Sequence, residues 1–99
     1  MNLTTTTENG RLTISFEGRL DTSTAPKLER ELAQLLKTET DVTFDFEGLE
    51  YLSSAGLRIV LMSHKRLRAV GGLLTVANVN DVIKNLFDLT GFSEILNIV

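Results

Sequence analysis

The chain has 99 residues, the size of one ordinary domain, and its 42% hydrophobic and 23% charged residues exclude a disordered or low-complexity protein. Ten basic and thirteen acidic side chains leave a net charge of −3, so binding to nucleic acid or to an anionic membrane has no electrostatic support. Cysteine is absent and His64 is the only histidine, which excludes thiolate chemistry and argues against histidine-based metal sites and catalytic triads.

The start of the chain has no signal-peptide pattern, because Met1 leads into polar threonines rather than into a basic stretch and an apolar run. No apolar segment approaches the roughly 20 residues that a membrane-spanning helix needs. We therefore expect a cytoplasmic protein that does not insert into a membrane.

The first two elements are predicted strands joined by a tight turn. Residues 3–7 include β-branched threonines, and Leu12, Ile14 and Phe16 alternate with polar residues at the period of a half-buried strand. The turn 8–10 between them contains Asn-Gly, in which both residues tolerate a positive φ. The pattern predicts an amino-terminal β-hairpin.

A helix and a further strand are predicted next. Residues 21–24 are rich in side chains that cap helices, Pro26 is tolerated in a first helical turn, and leucines then recur at helical spacing over residues 25–37. Alternating apolar residues predict a strand over 42–47, and residues 48–54 are expected to form the loop after it.

The second half of the chain alternates between helix and strand. A helical pattern begins at Ala55 and is stopped by Gly71-Gly72, and the apolar residues 73–77 are typical of a strand inside a parallel sheet. A third helix ends at Gly91, which suits the left-handed closing position, and residues 95–99 are expected to form the last strand.

The order of these elements, β-β-α-β-α-β-α-β, predicts the fold class. Strands that alternate with helices imply right-handed crossovers and a largely parallel sheet. We therefore expect one α/β domain over residues 1–99, with a mostly parallel mixed sheet, an amino-terminal hairpin at its edge and helices packed on it.

Two serines stand where the middle helix starts. Ser53 or Ser54 can cap the first free N–H groups of the helix, and that role alone explains one of them. A helix amino terminus also stabilises an anion, so a phosphoserine would be accommodated there without unfolding the domain. Ala55 and Gly56 are small and are expected to leave the backbone open to a partner. Capping and regulation both remain open as roles for the serines.

Motifs along nearly the whole chain resemble those of the STAS domain family (sulfate transporter and anti-sigma factor antagonist). In chain order they are Gly18-Arg19-Leu20-Asp21, Asp45-Phe46 followed by Gly56-Leu57, Gly71-Gly72, and Leu86-Phe87-Asp88-Leu89-Thr90-Gly91. The resemblance implies a single-domain bacterial anti-sigma factor antagonist. Such a protein binds an anti-sigma factor that is also a serine kinase of the histidine-kinase-like ATPase fold, and thereby frees a sigma factor. Phosphorylation by the kinase ends binding, and a serine phosphatase restores it.

The resemblance also implies where the partner binds. In the family, the loop after the second strand lies near the serine loop and contributes to the surface that faces the partner. The expected partner-binding residues are Asp21, Thr22, Ser23, Ser53, Ser54, Ala55, Gly56 and Arg58. Asp21 has helix capping as its alternative role. Arg58 belongs to a basic group on the middle helix, which is either a solvated face or a contact for an acidic partner.

The serine loop departs from the family pattern at two positions. Counting back from Gly56, the usual phosphoacceptor serine falls on Ala55 and the usual acidic residue falls on Ser53. Since Ala55 has no hydroxyl, Ser54 is the nearest candidate for phosphorylation, and Ser53 is the next. Either the modification has moved by one residue or the protein binds its partner without this switch.

Two other classes of function are an accessory subunit and an enzyme. STAS proteins also serve as accessory subunits of transporters or of other signalling assemblies, where the same helix faces would dock on an ATPase subunit without phosphorylation. An enzyme is disfavoured, because no carboxylate pair has a motif spacing and no phosphate cradle such as GxxxxGK[ST] occurs. We expect no catalytic residue, no metal and no cofactor.

Overall fold

The computed structural model describes residues 1–99 and has a five-stranded mixed sheet at its centre. The strands are β1 (Asn2–Glu8), β2 (Arg11–Leu20), β3 (Asp41–Leu52), β4 (Leu73–Ala77) and β5 (Asn97–Ile98). The helices are α1 (Ala25–Leu35), α2 (Ser54–Ala69), α3 (Asp81–Thr90) and α4 (Phe92–Ile95). The strands lie in the order β1-β2-β3-β4-β5, with β1 antiparallel to β2 and every other pair parallel. The predicted α/β fold with a mostly parallel sheet is confirmed.

The amino-terminal hairpin is confirmed together with its turn. Glu8 pairs with Arg11, and the two residues between them have positive φ angles of 53° at Asn9 and 79° at Gly10. Asparagine and glycine adopt this left-handed conformation at low cost, so the turn matches the twist of the strands that it joins.

The structure corrects the end of β3. Residues 48–54 were expected to form a loop, but the strand continues to Leu52 and pairs with β2 as far as Leu20. Two irregularities in the register, between Ser15 and Glu17 and between Gly18 and Arg19, interrupt the alternation of inward and outward residues. The two strands stay paired through these bulges, but the alternation of buried and exposed residues is lost there.

Three further boundaries differ from the expected ones. The first helix ends at Leu35 rather than at residue 37, and the middle helix begins one residue early, at Ser54. The last strand is reduced to β5, because Phe92–Ile95 forms the short helix α4 after the left-handed Gly91. A four-residue helix is too short to produce a helical period that could be recognised in the sequence.

The hydrophobic core lies on one face of the sheet, beneath the helices. Alternate residues of β2, β3 and β4 are fully buried, and the rings of Phe16, Phe44 and Phe46 meet there with centroids 4.9 to 6.1 Å apart. The intervening residues, such as Thr13 and Thr43, keep part of their surface exposed. Right-handed crossovers between successive neighbouring strands put all the helices on the same side, which leaves the other face of the sheet to solvent.

Candidate partner-docking site

The carboxyl ends of β2 and β3 bring two distant segments of the chain together. Leu20 pairs with Leu52 at the end of the parallel ladder, and the main-chain N–H of Ser53 donates a hydrogen bond to the carbonyl oxygen of Leu20 at 2.9 Å. One position earlier, the guanidinium carbon of Arg19 lies 4.3 Å from the ring centroid of Tyr51, a cation–π contact. The turn before α1 and the start of α2 are therefore neighbours.

We refer to the exposed parts of residues 21–23 and 53–58 as the candidate surface. These ranges contain all the partner-binding residues that the family resemblance implies. The structure places both ranges at the same edge of the sheet, but it does not expose every residue equally.

Ser53 is the N-cap residue of α2. Its backbone is extended, with φ −90° and ψ 177°, and its side-chain oxygen accepts a hydrogen bond from the main-chain N–H of Gly56 at 3.3 Å. Its carbonyl oxygen accepts the first helical hydrogen bond, from Leu57, at 2.8 Å. The hydroxyl of Ser53 is thus engaged in the cap, and the side chain is half-buried.

Ser54 is the first residue of α2 and is exposed. Because Ser53 supplies the cap, the hydroxyl of Ser54 is not needed to begin the helix. Of the two serines predicted as phosphorylation candidates, Ser54 is the more accessible.

The structure corrects the expectation for Gly56, which is buried rather than open to a partner. A Cβ atom at this position would lie 2.5 Å from Cδ1 of Leu52 and 2.7 Å from Cγ of Leu20. Glycine is therefore required for α2 to approach the ends of β2 and β3. Ala55 is half-buried and packs against the core, and Arg58 is exposed.

Asp21 holds the turn that precedes α1. Its Oδ1 accepts hydrogen bonds from the N–H and the hydroxyl of Ser23, at 2.9 and 2.7 Å, and from the N–H of Thr24 at 3.2 Å. The hydroxyl oxygen of Thr24 in turn accepts a bond from the N–H of Asp21 at 2.9 Å. The Ser23 hydroxyl first, and then the Thr24 N–H, lower the pKa of Asp21 below its usual value of 3.8. Asp21 organises this turn, while Thr22 and Ser23 are exposed beside it.

An apolar groove of about 320 Å³ adjoins the candidate surface between the start of α2 and α3. The sequence did not predict it, because its walls come from Tyr51 and from α3, which are distant in the chain. The sequence of α3 contains one signal of an exposed apolar surface, because the helix has more apolar residues than a single buried stripe can hold. Ile83 and Phe87 are buried, but the helix also carries the exposed residues Val82 and Leu89.

His64, the only histidine, lies in the second half of α2, away from the candidate surface. His64 is half-buried, and its Nδ1 is buried without a hydrogen-bond partner. Burial lowers the pKa of His64 below 6.5, helped by the positive charges of Arg68 and Lys65.

No group of three or more histidine, aspartate or glutamate side chains is arranged to hold a metal ion. No helix is both long enough and apolar enough to cross a membrane.

Comparison with known sequences identifies a family and several relatives. The sequence model of the STAS domain matches residues 2–99. BtrV of Bordetella bronchiseptica, named as a candidate anti-sigma factor antagonist, is 38% identical over 96 residues, which cover 96% of this chain and 83% of BtrV. The anti-sigma-B factor antagonist of Bacillus subtilis is 28% identical over 85 residues, covering 86% of this chain and 78% of that protein.

Solved structures show the same fold. A candidate anti-sigma factor antagonist from Thermotoga maritima superposes with a TM-score of 0.92 at 15% identity, covering 97% of this chain and 84% of that one. The unphosphorylated form of SpoIIAA, an anti-sigma factor antagonist, gives a TM-score of 0.75 at 19% identity, with 99% and 87% covered. The phosphorylated form of SpoIIAA from Bacillus gives 0.74 at 20% identity, with 99% and 91% covered.

Proposed function

This chain belongs to the STAS domain family, and we propose that it acts in the cytoplasm as an anti-sigma factor antagonist. In this role, it binds an anti-sigma factor with serine kinase activity and a histidine-kinase-like ATPase fold through the candidate surface, and a sigma factor is released. The kinase phosphorylates Ser54 and binding is lost, and a serine phosphatase resets the protein. The names of the relatives support the antagonist role.

The observation that carries this proposal is the exposure of Ser54 at the first position of α2, beside a neighbour that already caps the helix. A phosphate on Ser54 would lie at the positive end of the helix dipole, so the fold would tolerate it. It would also add about two negative charges to the contact surface. A partner could bind that surface only by desolvating or pairing those charges, which opposes association.

The proposed mechanism needs no bond-breaking chemistry from this chain. Binding depends on the shape and the charge of an exposed surface, and the hydroxyl of Ser54 is a substrate of the partner kinase rather than a catalytic group. We therefore propose that the protein is not an enzyme and that its activity is the displacement of one protein from another.

Ala55 favours one alternative, an accessory subunit that docks on the ATPase of a transporter or of another signalling assembly without being phosphorylated. Ala55 stands where the family resemblance puts the usual phosphoacceptor, and it has no hydroxyl. The same candidate surface would then make a constitutive contact.

The test is incubation of the purified chain with its cognate complex of anti-sigma factor and sigma factor, in the presence of Mg²⁺ and ATP. The proposal predicts release of the sigma factor, followed by one phosphate that mass spectrometry locates on Ser54. Ser54→Ala should release the sigma factor but remain unphosphorylated, whereas the matched control Ser15→Ala, at a half-buried serine of β2 outside the candidate surface, should be modified like the wild type. Capture of a transporter ATPase, with no binding to an anti-sigma factor, would establish the alternative instead.

A further inference from the structure

We infer, on the premise that the proposed function holds, that the apolar groove between α2 and α3 receives an uncharged apolar segment of the anti-sigma factor. The groove is lined by Tyr51, Ser53 and Ser54 from the end of β3 and the start of α2, and by Val82, Leu86 and Leu89 of α3. It extends the candidate surface beyond the residues that the family resemblance implies.

Three of the large hydrophobic residues that line the groove are exposed. The exposed fraction is 86% for Leu89, 68% for Val82 and 38% for Tyr51. Eight large hydrophobic residues are exposed in the whole chain, and three of them border this one groove. Isolated apolar residues on a surface need no explanation, whereas these three border a single groove beside the candidate surface.

The sequence pattern of α3 explains why Val82 and Leu89 face outward. Ile83 and Phe87 are buried beneath the helix and attach it to the sheet. Val82, Leu86 and Leu89 follow a second stripe at i, i+4 and i+7, which is the spacing of one helix face. Leu86 is only partly covered by the core, so most of this second stripe has no partner within the chain.

The composition of the groove determines what it can bind. None of its lining residues carries a charge, so a charged segment would lose its hydration there without gaining an ion pair. The groove would not enclose a small ligand, because the α3 side chains that border it, Val82 and Leu89, are mostly exposed to solvent. An apolar segment presented by a protein surface fits both conditions.

The position of the groove identifies that protein as the partner at Ser54. Ser53 and Ser54 line the groove and also belong to the candidate surface, so a protein that reaches Ser54 lies directly over the groove. Tyr51 is held at the same place by the guanidinium of Arg19, and ordered aromatic side chains of this kind often anchor protein interfaces.

This placement strengthens the proposed switch. A phosphate on Ser54 would stand at the rim of an apolar contact, where the partner must exclude water as it binds. The dianion would then have to be desolvated beside a groove that carries no positive charge, so one modification would weaken the whole contact.

The test uses two shape-preserving substitutions, Val82→Thr and Leu89→Gln, in the full chain. Isothermal titration against the anti-sigma factor is expected to show binding weakened by about tenfold for each variant, as for other well-packed apolar anchors. The matched control is Val70→Thr, the same substitution at a residue that is 62% exposed, lies at the end of α2 and is not part of the groove. Its affinity should equal that of the wild type.

The outcomes separate this inference from the function on which it depends. If the wild type binds the anti-sigma factor and both groove variants bind equally well, the groove is not part of the contact and only this inference is overturned. If the wild type does not bind at all, the proposed function fails as well. Equal urea midpoints for the wild type and the variants would confirm that any loss of affinity does not come from unfolding.

Discussion

The main-chain N–H of Ser53 donates a hydrogen bond to the carbonyl oxygen of Leu20, which ties the start of α2 to the end of β2. This bond continues the parallel pairing of β2 with β3, so the distance between the Asp21 turn and Ser54 is set by the backbone of the sheet. The Asp21 turn and the start of α2 are therefore joined through main-chain hydrogen bonds.

The first prediction concerns the charge at residue 54. Ser54→Asp should weaken binding to the anti-sigma factor by at least about tenfold, because it introduces a negative charge into a surface that must be desolvated. Ser54→Ala is the neutral control and should bind like the wild type. Titration calorimetry measures both, and equal affinities for the two variants would exclude Ser54 as the switch.

The second prediction separates the roles of the two serines. Ser53→Ala removes the hydrogen bond that caps α2 and should lower the free energy of unfolding by about 1 kcal/mol. Ser54→Ala changes an exposed residue outside the cap and should stay within about 0.5 kcal/mol of the wild type. Urea unfolding gives both values. A larger loss for Ser54→Ala than for Ser53→Ala would show that the cap had been assigned to the wrong serine.

The third prediction tests the close packing at Gly56. Gly56→Ala should destabilise the protein by about 1–3 kcal/mol, because the added Cβ would overlap the side chains of Leu52 and Leu20. Combining it with Leu52→Ala should cost less than the sum of the two single changes, since the smaller side chain makes room for the methyl group. Strict additivity would mean that the two residues are not in conflict.

The fourth prediction follows from the lowered pKa of Asp21. A carboxylate with a lower pKa in the folded state stabilises the fold above its unfolded pKa, and this contribution is lost as the pH falls below about 3.8. Between about pH 5 and pH 3, the wild type should therefore lose more stability than Asp21→Asn, which cannot titrate. Urea unfolding at the two pH values measures the difference. Equal losses would show that the hydrogen bonds of Asp21 do not favour its ionised form.

Whether the sequence predicts a strand depends on which faces of that strand are buried. Strand β2 and the first half of β3 have one face against the core, so alternation reveals them, whereas β4 is predicted from its run of apolar residues. The second half of β3 was missed because its buried residues Leu49 and Leu52 are three positions apart, after the register shifts. No short-range pattern encodes such a bulge.

The candidate site was only partly predictable for a related reason. The chain showed that two hydroxyl residues stand at the start of α2, but only the backbone angles of Ser53 reveal which of them caps the helix. The small size of Gly56 predicts an opening for a partner, whereas only the fold shows that this residue packs against Leu20 and Leu52. The groove requires Tyr51 and Leu89 to be neighbours, a relation that the tertiary fold creates.

We propose that the anti-sigma factor docks on the start of α2. Cross-saturation NMR tests this most directly, by transferring magnetisation from the unlabelled anti-sigma factor to the isotope-labelled chain. We expect the strongest transfer to fall on residues 21–23, on Ser54 and on Leu89. Transfer to Thr13, Thr43 and Thr75 on the uncovered face of the sheet, with Ser54 unaffected, would contradict it.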